Sequence, residues 1–242
     1  MGVSIKFSDT LENKLDRFKM LFEEKRQKNN LAQNPNLTTA QIDLLYKTDG
    51  VDKDNLAEYS KLTDEQFTRF FNNPDVFKDF LAQNPNLTTA QIDLLYKTKG
   101  VDNNYLAKYS KLTEEQFKRF FNNPDVDKDY LARNPNLTPE RIDLLYQTRG
   151  VDKDFLAKYP KLTDEQFTRF FNDGWVDKDW FASNSNLTEE QIDIIYETEG
   201  ADKDSLAEYP KLTDEQFTRF FNDTEVNKNN LALNPSINPE TV

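Results

Sequence analysis

The sequence predicts an all-α fold, an α-solenoid of stacked 25-residue helical repeats, on three observations. A Leu-Ala or Phe-Ala pair recurs every 25 residues, at Leu31, Leu56, Leu81, Leu106, Leu131, Leu156, Phe181, Leu206 and Leu231. A helix-start signature follows most pairs at one spacing, as in Leu37-Thr38 with Gln41 and Ile42 behind it. Between these starts lie turn residues and a second, shorter run of helical character. A single unit cannot cover both sides of a two-helix layer, so neighbours must stack.

Composition narrows the function before any motif does. The 242 residues carry 43 acidic and 31 basic side chains, a net charge of -12. That balance opposes a phosphate backbone as ligand, because such affinity comes from Lys and Arg neutralising phosphates. With no Cys and no His, disulfides, thiolate metal sites and the commonest general base are excluded. The expected protein is therefore no enzyme, needs no cofactor, and has neither catalytic nor metal-ligating residues to assign. No apolar run approaches the ~20 residues of a membrane span. Residues Met1 to Phe7 lack a secretory pattern, so a cytoplasmic location is expected, with no membrane contact.

Along the chain, residues 1–30 are expected to form an N-terminal capping helix, with Leu11, Leu15, Phe18, Leu21 and Phe22 on one face and Lys25, Arg26 and Lys28 at its C-terminal end. Tandem repeats follow over residues 31–242. Each long helix begins at a Thr cap with Gln at the third helical position, at Thr38, Thr63, Thr88, Thr113, Thr163, Thr188 and Thr213. At the fifth copy Pro139 takes the first helical position, where its missing N–H costs nothing. The long helices bury stripes such as Ile42, Leu45 and Tyr46, or Phe67, Phe70 and Phe71. They are expected to stop at Gly50, Gly100, Gly150 and Gly200, or at Asn72-Asn73-Pro74 and Asn122-Asn123-Pro124. A shorter helix follows each stop, as over Val151 to Tyr159, with Asp at its start.

The copies alternate in kind. Those from Leu31, Leu81, Leu131 and Phe181 carry Asn-Pro-Asn or Asn-Ser-Asn turns; those from Leu56, Leu106, Leu156 and Leu206 carry Tyr-Ser-Lys or Tyr-Pro-Lys turns and Phe-rich helices. The larger period is thus 50 residues. A ninth unit begins at Leu231 and stops at Val242, which leaves Phe217, Phe220 and Phe221 without an obvious covering layer. Either a fragment of a longer chain or an end-to-end contact at the C-terminal repeat is expected from that.

Over Val126 to Glu140, with Leu131-Ala132-Arg133-Asn134-Pro135 and Pro139-Glu140 within it, the chain resembles the leucine-rich repeat variant family; HEAT-like solenoids are the neighbouring assignment. The resemblance implies a right-handed superhelix of α-helices alternating with shorter ones, and a role in interaction. The chain departs from that family in its Asp-Lys-Asp after the Val and in its Tyr-Ser-Lys or Tyr-Pro-Lys turns.

One position singles out a candidate surface. Just before the Leu-Ala pair the chain reads Asn55, Phe80, Tyr105, Tyr130, Phe155, Trp180, Ser205 and Asn230, aromatic in the middle and polar at both ends. Packing alone would treat every unit alike, whereas a ligand-contacting stripe can be confined to the centre, so Phe80, Tyr105, Tyr130, Phe155 and Trp180 are the binding candidates. The opposing expectation is that these rings are core. Asp43, Asp93, Asp143 and Asp193 alternate with Arg69, Arg119, Arg169 and Arg219 as expected inter-repeat salt bridges. The Asp-x-Asp pairs at Asp52, Asp127, Asp152, Asp177 and Asp202 are expected to start helices, since none is followed by the remaining ligands of a calcium loop. Asn36, Asn86, Asn136 and Asn186 head glycosylation sequons whose Thr is already used as a helix cap. The function these features suggest is a scaffold for a protein or peptide partner. Its alternatives are an acidic mimic of nucleic acid that binds a DNA-binding protein and a structural spacer in a larger assembly, such as a viral one.

Overall fold

The computed structural model describes residues 24 and 26–236. All of its regular structure is helical; among the described residues there is no strand. Long helices such as Asp64–Asn72, Pro139–Gln147 and Asp214–Asn222 alternate with short ones such as Lys78–Ala82, Lys128–Ala132 and Lys178–Ala182. Within each of two units, neighbouring helices pack on one another in the solenoid-like repeat arrangement that the 25-residue period predicts. The chain packs as two units, residues 1–102 and 103–242. Most of the expected N-terminal cap and the end of the ninth repeat, residues 237–242, lie outside the described residues; residue 24 and residues 26–32 are helical.

The long helices start where their caps place them. Thr38, Thr63, Thr88, Thr113, Thr163, Thr188 and Thr213 each accept from the N–H of the Gln three residues on, and that Gln side chain accepts from the Thr N–H. These reciprocal bonds occupy donors that a helix end otherwise leaves orphaned. Thr138 is the exception and makes no side-chain cap bond. Arg141 stands where Gln stands elsewhere, has no acceptor to offer, and reaches instead to Glu114 at 3.1 Å and to the Leu112 carbonyl at 3.0 Å.

Asp64–Asn72 and Glu114–Asn122 stop where expected, whereas the stops expected at the Gly differ. The helices end at Lys47, Tyr96, Gln147 and Tyr196, three or four residues before the Gly. Thr48, Thr98, Thr148 and Thr198 follow, and their hydroxyls donate to the carbonyls of Leu44, Leu94, Leu144 and Ile194 at 2.7–2.8 Å. Gly50, with φ of 80°, turns the chain afterwards in a conformation that a side chain would strain.

Within each unit the Leu-Ala pairs line the seam where short helices meet. Leu56, Ala57, Leu81, Ala82, Leu131, Ala132, Leu156 and Ala157 are all fully buried. The small Ala lets adjacent short helices approach, and Lys53–Tyr59 packs against Lys78–Ala82 while Asn103–Tyr109 packs against Lys128–Ala132. The long helices add a second layer of apolar contact: Ile42, Phe70, Ile92, Phe120, Ile142, Phe170, Ile192 and Phe220 have no exposed surface.

Polar bonds set the register between repeats. Asn84 donates to the carbonyls of Ala57 and Ser60 at 2.7 and 2.8 Å, and its side-chain oxygen accepts from the Asn86 N–H. Asn134, Asn184 and Asn234 repeat this pattern on the preceding repeat. Each is almost fully buried, yet its amide is satisfied on both ends. The alternate repeats place Tyr59, Tyr109, Tyr159 or Tyr209 at this position. A phenol cannot donate two bonds, which gives the 50-residue period a physical content.

Candidate binding surface

Successive residues of a helix project about 100° apart. The residue before each buried Leu or Phe therefore sits at the margin of the buried face, and there the structure places Phe80, Tyr105, Tyr130, Phe155 and Trp180. All five are half-buried, neither sealed in the core nor standing free in solvent. Phe80 belongs to the first unit, on Lys78–Ala82, and the other four to the second, on consecutive short helices.

Phe155 and Trp180 meet edge to face, with ring centroids 5.8 Å apart. Between the rings lie cations of this chain. The Arg133 guanidinium sits 3.7 Å from the centre of the Phe155 ring and 5.3 Å from that of Tyr130, the ring three residues before it. Lys158 lies 4.9 Å over Trp180, and Tyr159 adds a tilted ring 6.3 Å from Phe155. Each cation thus bridges its own repeat to a ring of the next. Lys108 takes the same position one repeat earlier and donates to the Tyr109 hydroxyl at 2.9 Å.

Sequence reasoning missed these cations. The position two residues after the Leu reads Glu58, Gln83, Lys108, Arg133, Lys158, Ser183 and Glu208, so positive charge is confined to three central repeats. The signal was available, because it has the same centre-only pattern as the rings. Arg133 has no ion pair among the described residues, and its Nε is buried without a hydrogen-bond partner.

The other candidates are occupied inside the fold. Arg69 donates to Asp43 at 2.6 Å, and Gln66 donates to the same carboxylate at 2.9 Å. Hydrogen bonds from Gln66 and then Arg69 hold Asp43 below the ordinary carboxylate range. Arg169 pairs with Asp143 and Arg219 with Asp193 in the same manner, each with a Gln beside it. In the Asp-x-Asp pairs the two carboxylates divide the work. Asp52, Asp127, Asp152 and Asp177 accept from the N–H two residues on, as helix caps. The second members reach the next repeat: Asp54 accepts from the Phe77 N–H, Asp129 from Asp152 and Asp154 from Asp177 at 2.8–2.9 Å. Among the described residues, no group of three or more acidic side chains is arranged to hold a metal ion. None of their helices is long and apolar enough to cross a membrane.

A further cluster joins long helix to loop. The Tyr146 hydroxyl donates to Asp173 at 2.5 Å and Lys153 reaches the same carboxylate at 2.8 Å; Tyr196, Lys203 and Asp223 repeat the set. Bonds from Lys153 and then Tyr146 push Asp173 down to about 2, and bonds led by Tyr196 do the same to Asp223.

No family model matches the chain, and neither does any curated protein or solved structure.

Proposed function

We propose that the chain is a non-enzymatic scaffold that binds a protein or peptide through the row of rings and cations on its central short helices. Tyr105, Tyr130, Phe155 and Trp180 form the contact surface, with Phe80 at the corresponding register of the first unit. The observation that carries this reading is the half-buried state of the rings together with the cations between them. Fully buried Leu, Ala and Phe side chains close the seam between repeats, and the half-buried rings lie at its margin, where they also touch the next repeat. Large amphipathic rings beside Arg are the composition of binding hot spots.

The acidic rows support no rival of equal weight. A mimic of nucleic acid needs its carboxylates turned outward at phosphate-like intervals, and here Asp54, Asp129 and Asp154 accept bonds from the next repeat. Affinity capture from the native source tests the proposal, repeated with Tyr105→Ser/Tyr130→Ser/Phe155→Ser. A specific protein held by the natural chain and released by the variant is the expected result. Equal retention by both would overturn it.

A further inference from the structure

Building on that reading, we infer that the partner presents an extended acidic segment, with one carboxylate for each of the central repeats bearing Lys108, Arg133 and Lys158. The faces of Phe155 and Trp180 are already covered by Arg133 and Lys158. A cationic ligand, such as a methylated lysine, therefore meets like charge there. Neither Arg133 nor Lys158 makes an ion pair among the described residues, and the Arg133 Nε is buried with nothing to donate to; Arg133 acts on Asp129, one turn back, through its field alone. These cations thus have no directly bonded anion. In a chain of net charge -12, three basic residues at one register of adjacent repeats concentrate positive potential on one strip.

Spacing selects the form of that partner. Packed helices lie roughly 8–10 Å apart, and an extended chain advances about 3.3 Å per residue. One repeat thus corresponds to about three residues of an extended peptide. A carboxylate at every third position meets the cations in turn, Arg133 with its planar fork of donors and the two Lys as point charges. The residues between lie along the half-buried rings of Tyr105, Tyr130, Phe155 and Trp180. A nucleic acid fits less well, because its charge is continuous, the chain as a whole is acidic, and a cation already lies over Phe155 and over Trp180.

The test uses the full chain and a labelled synthetic peptide of roughly ten residues, long enough to pass three repeats, with Glu at every third position and Leu or Tyr between. Fluorescence anisotropy measures its Kd over a range of salt. Comparison arms are a peptide of the same composition with Glu at every second position, one with Gln for Glu, and a single-stranded oligonucleotide. The natural chain binds the every-third peptide best. Lys108→Gln/Arg133→Gln/Lys158→Gln weakens it tenfold or more and flattens the salt dependence, while Arg133→Lys, which keeps the charge and loses the fork, weakens it less than Arg133→Gln. Circular dichroism confirms that the variants are folded. Equal binding of the Gln peptide, indifference to the triple substitution, preference for the oligonucleotide, or no peptide binding at all would each overturn the inference. A partner captured from the native source that is lost with the Ser variant but kept by the Gln variant leaves the ring surface standing and removes only the acidic partner.

Discussion

Asp129 accepts a hydrogen bond at 2.8 Å from the backbone N–H of Asp152, the residue that caps the corresponding helix one repeat later. The same bond runs from Phe77 to Asp54 and from Asp177 to Asp154. Asn104 makes it with an amide oxygen, accepting from Asp127 at 2.9 Å. The position needs an acceptor of this length and does not need a charge.

Substitution at Asp129 separates those two requirements. Asp129→Ala leaves a helix-start N–H without its partner and is expected to cost about 1–2 kcal/mol. Asp129→Asn, which copies the natural Asn104, is expected to stay within about 0.5 kcal/mol of the natural chain. Urea unfolding of both variants checks this; equal losses in the two would contradict the account.

Asn134 carries more. Its amide bonds to Ala107 and Ser110 are buried, and its oxygen holds the Asn136 N–H. Asn134→Ala removes all three and orphans buried groups on both repeats, with an expected loss of about 3–5 kcal/mol. Asn134→Asp is expected to do no better, since a carboxylate cannot donate and its charge is desolvated. The midpoint of chemical denaturation reads both.

Acid sensitivity has a definite source in the second unit. Asp173 and Asp223 have folded values of about 2, below the ~3.9 of an unfolded Asp. Their contribution to stability is complete above about pH 4 and disappears as the pH falls through about 2. Asp54, Asp129 and Asp154 run the other way: burial raises them despite the bond each accepts, so their contribution is present below the unfolded value and is lost as the pH rises through the folded one. Asp173→Asn/Asp223→Asn is expected to give a shallower fall in the unfolding midpoint between pH 4 and pH 2. At the corresponding position of the first unit Asn73 keeps a bond to the tyrosine without a charge, its amide donating to the Tyr46 hydroxyl at 2.9 Å. An unchanged pH profile would show that the Tyr-Asp-Lys clusters do not govern acid stability.

How much of this was legible follows from sequence distance. The helix starts could be read because a cap is a local contact, Thr to the Gln three residues on, and propensity and hydrogen bonding agree there. Thr138 escaped because the rule needs both partners and Arg141 is not an acceptor. The ends at Asn72 and Asn122 were legible, whereas those before the Gly were read too late, since Gly50 marks the turn after the stop and the Thr48 hydroxyl marks the stop itself. The roles of Asn84 and Asp129 were hidden, because their partners lie 23 to 27 residues away in sequence and one repeat away in space. The interchange of Asp and Asn at Asp54, Asn104 and Asp129 carried the hint, an acceptor required without a charge. Similarly, the central pattern that singles out the rings as candidates is shared by Lys108, Arg133 and Lys158.

The central claim is that the rings before the Leu-Ala pairs are surplus to the fold and serve contact. Thermal unfolding of Tyr105→Ser/Tyr130→Ser/Phe155→Ser tests it most directly, beside Phe170→Ala as a core reference. Phe170 is fully buried, and its truncation is expected to cost about 3–5 kcal/mol. The account predicts that the triple Ser variant keeps its helical circular-dichroism signal and melts within a few degrees of the natural chain. A collapse of the melting temperature as large as that of Phe170→Ala would show that the rings are core, and the binding surface would be lost with them.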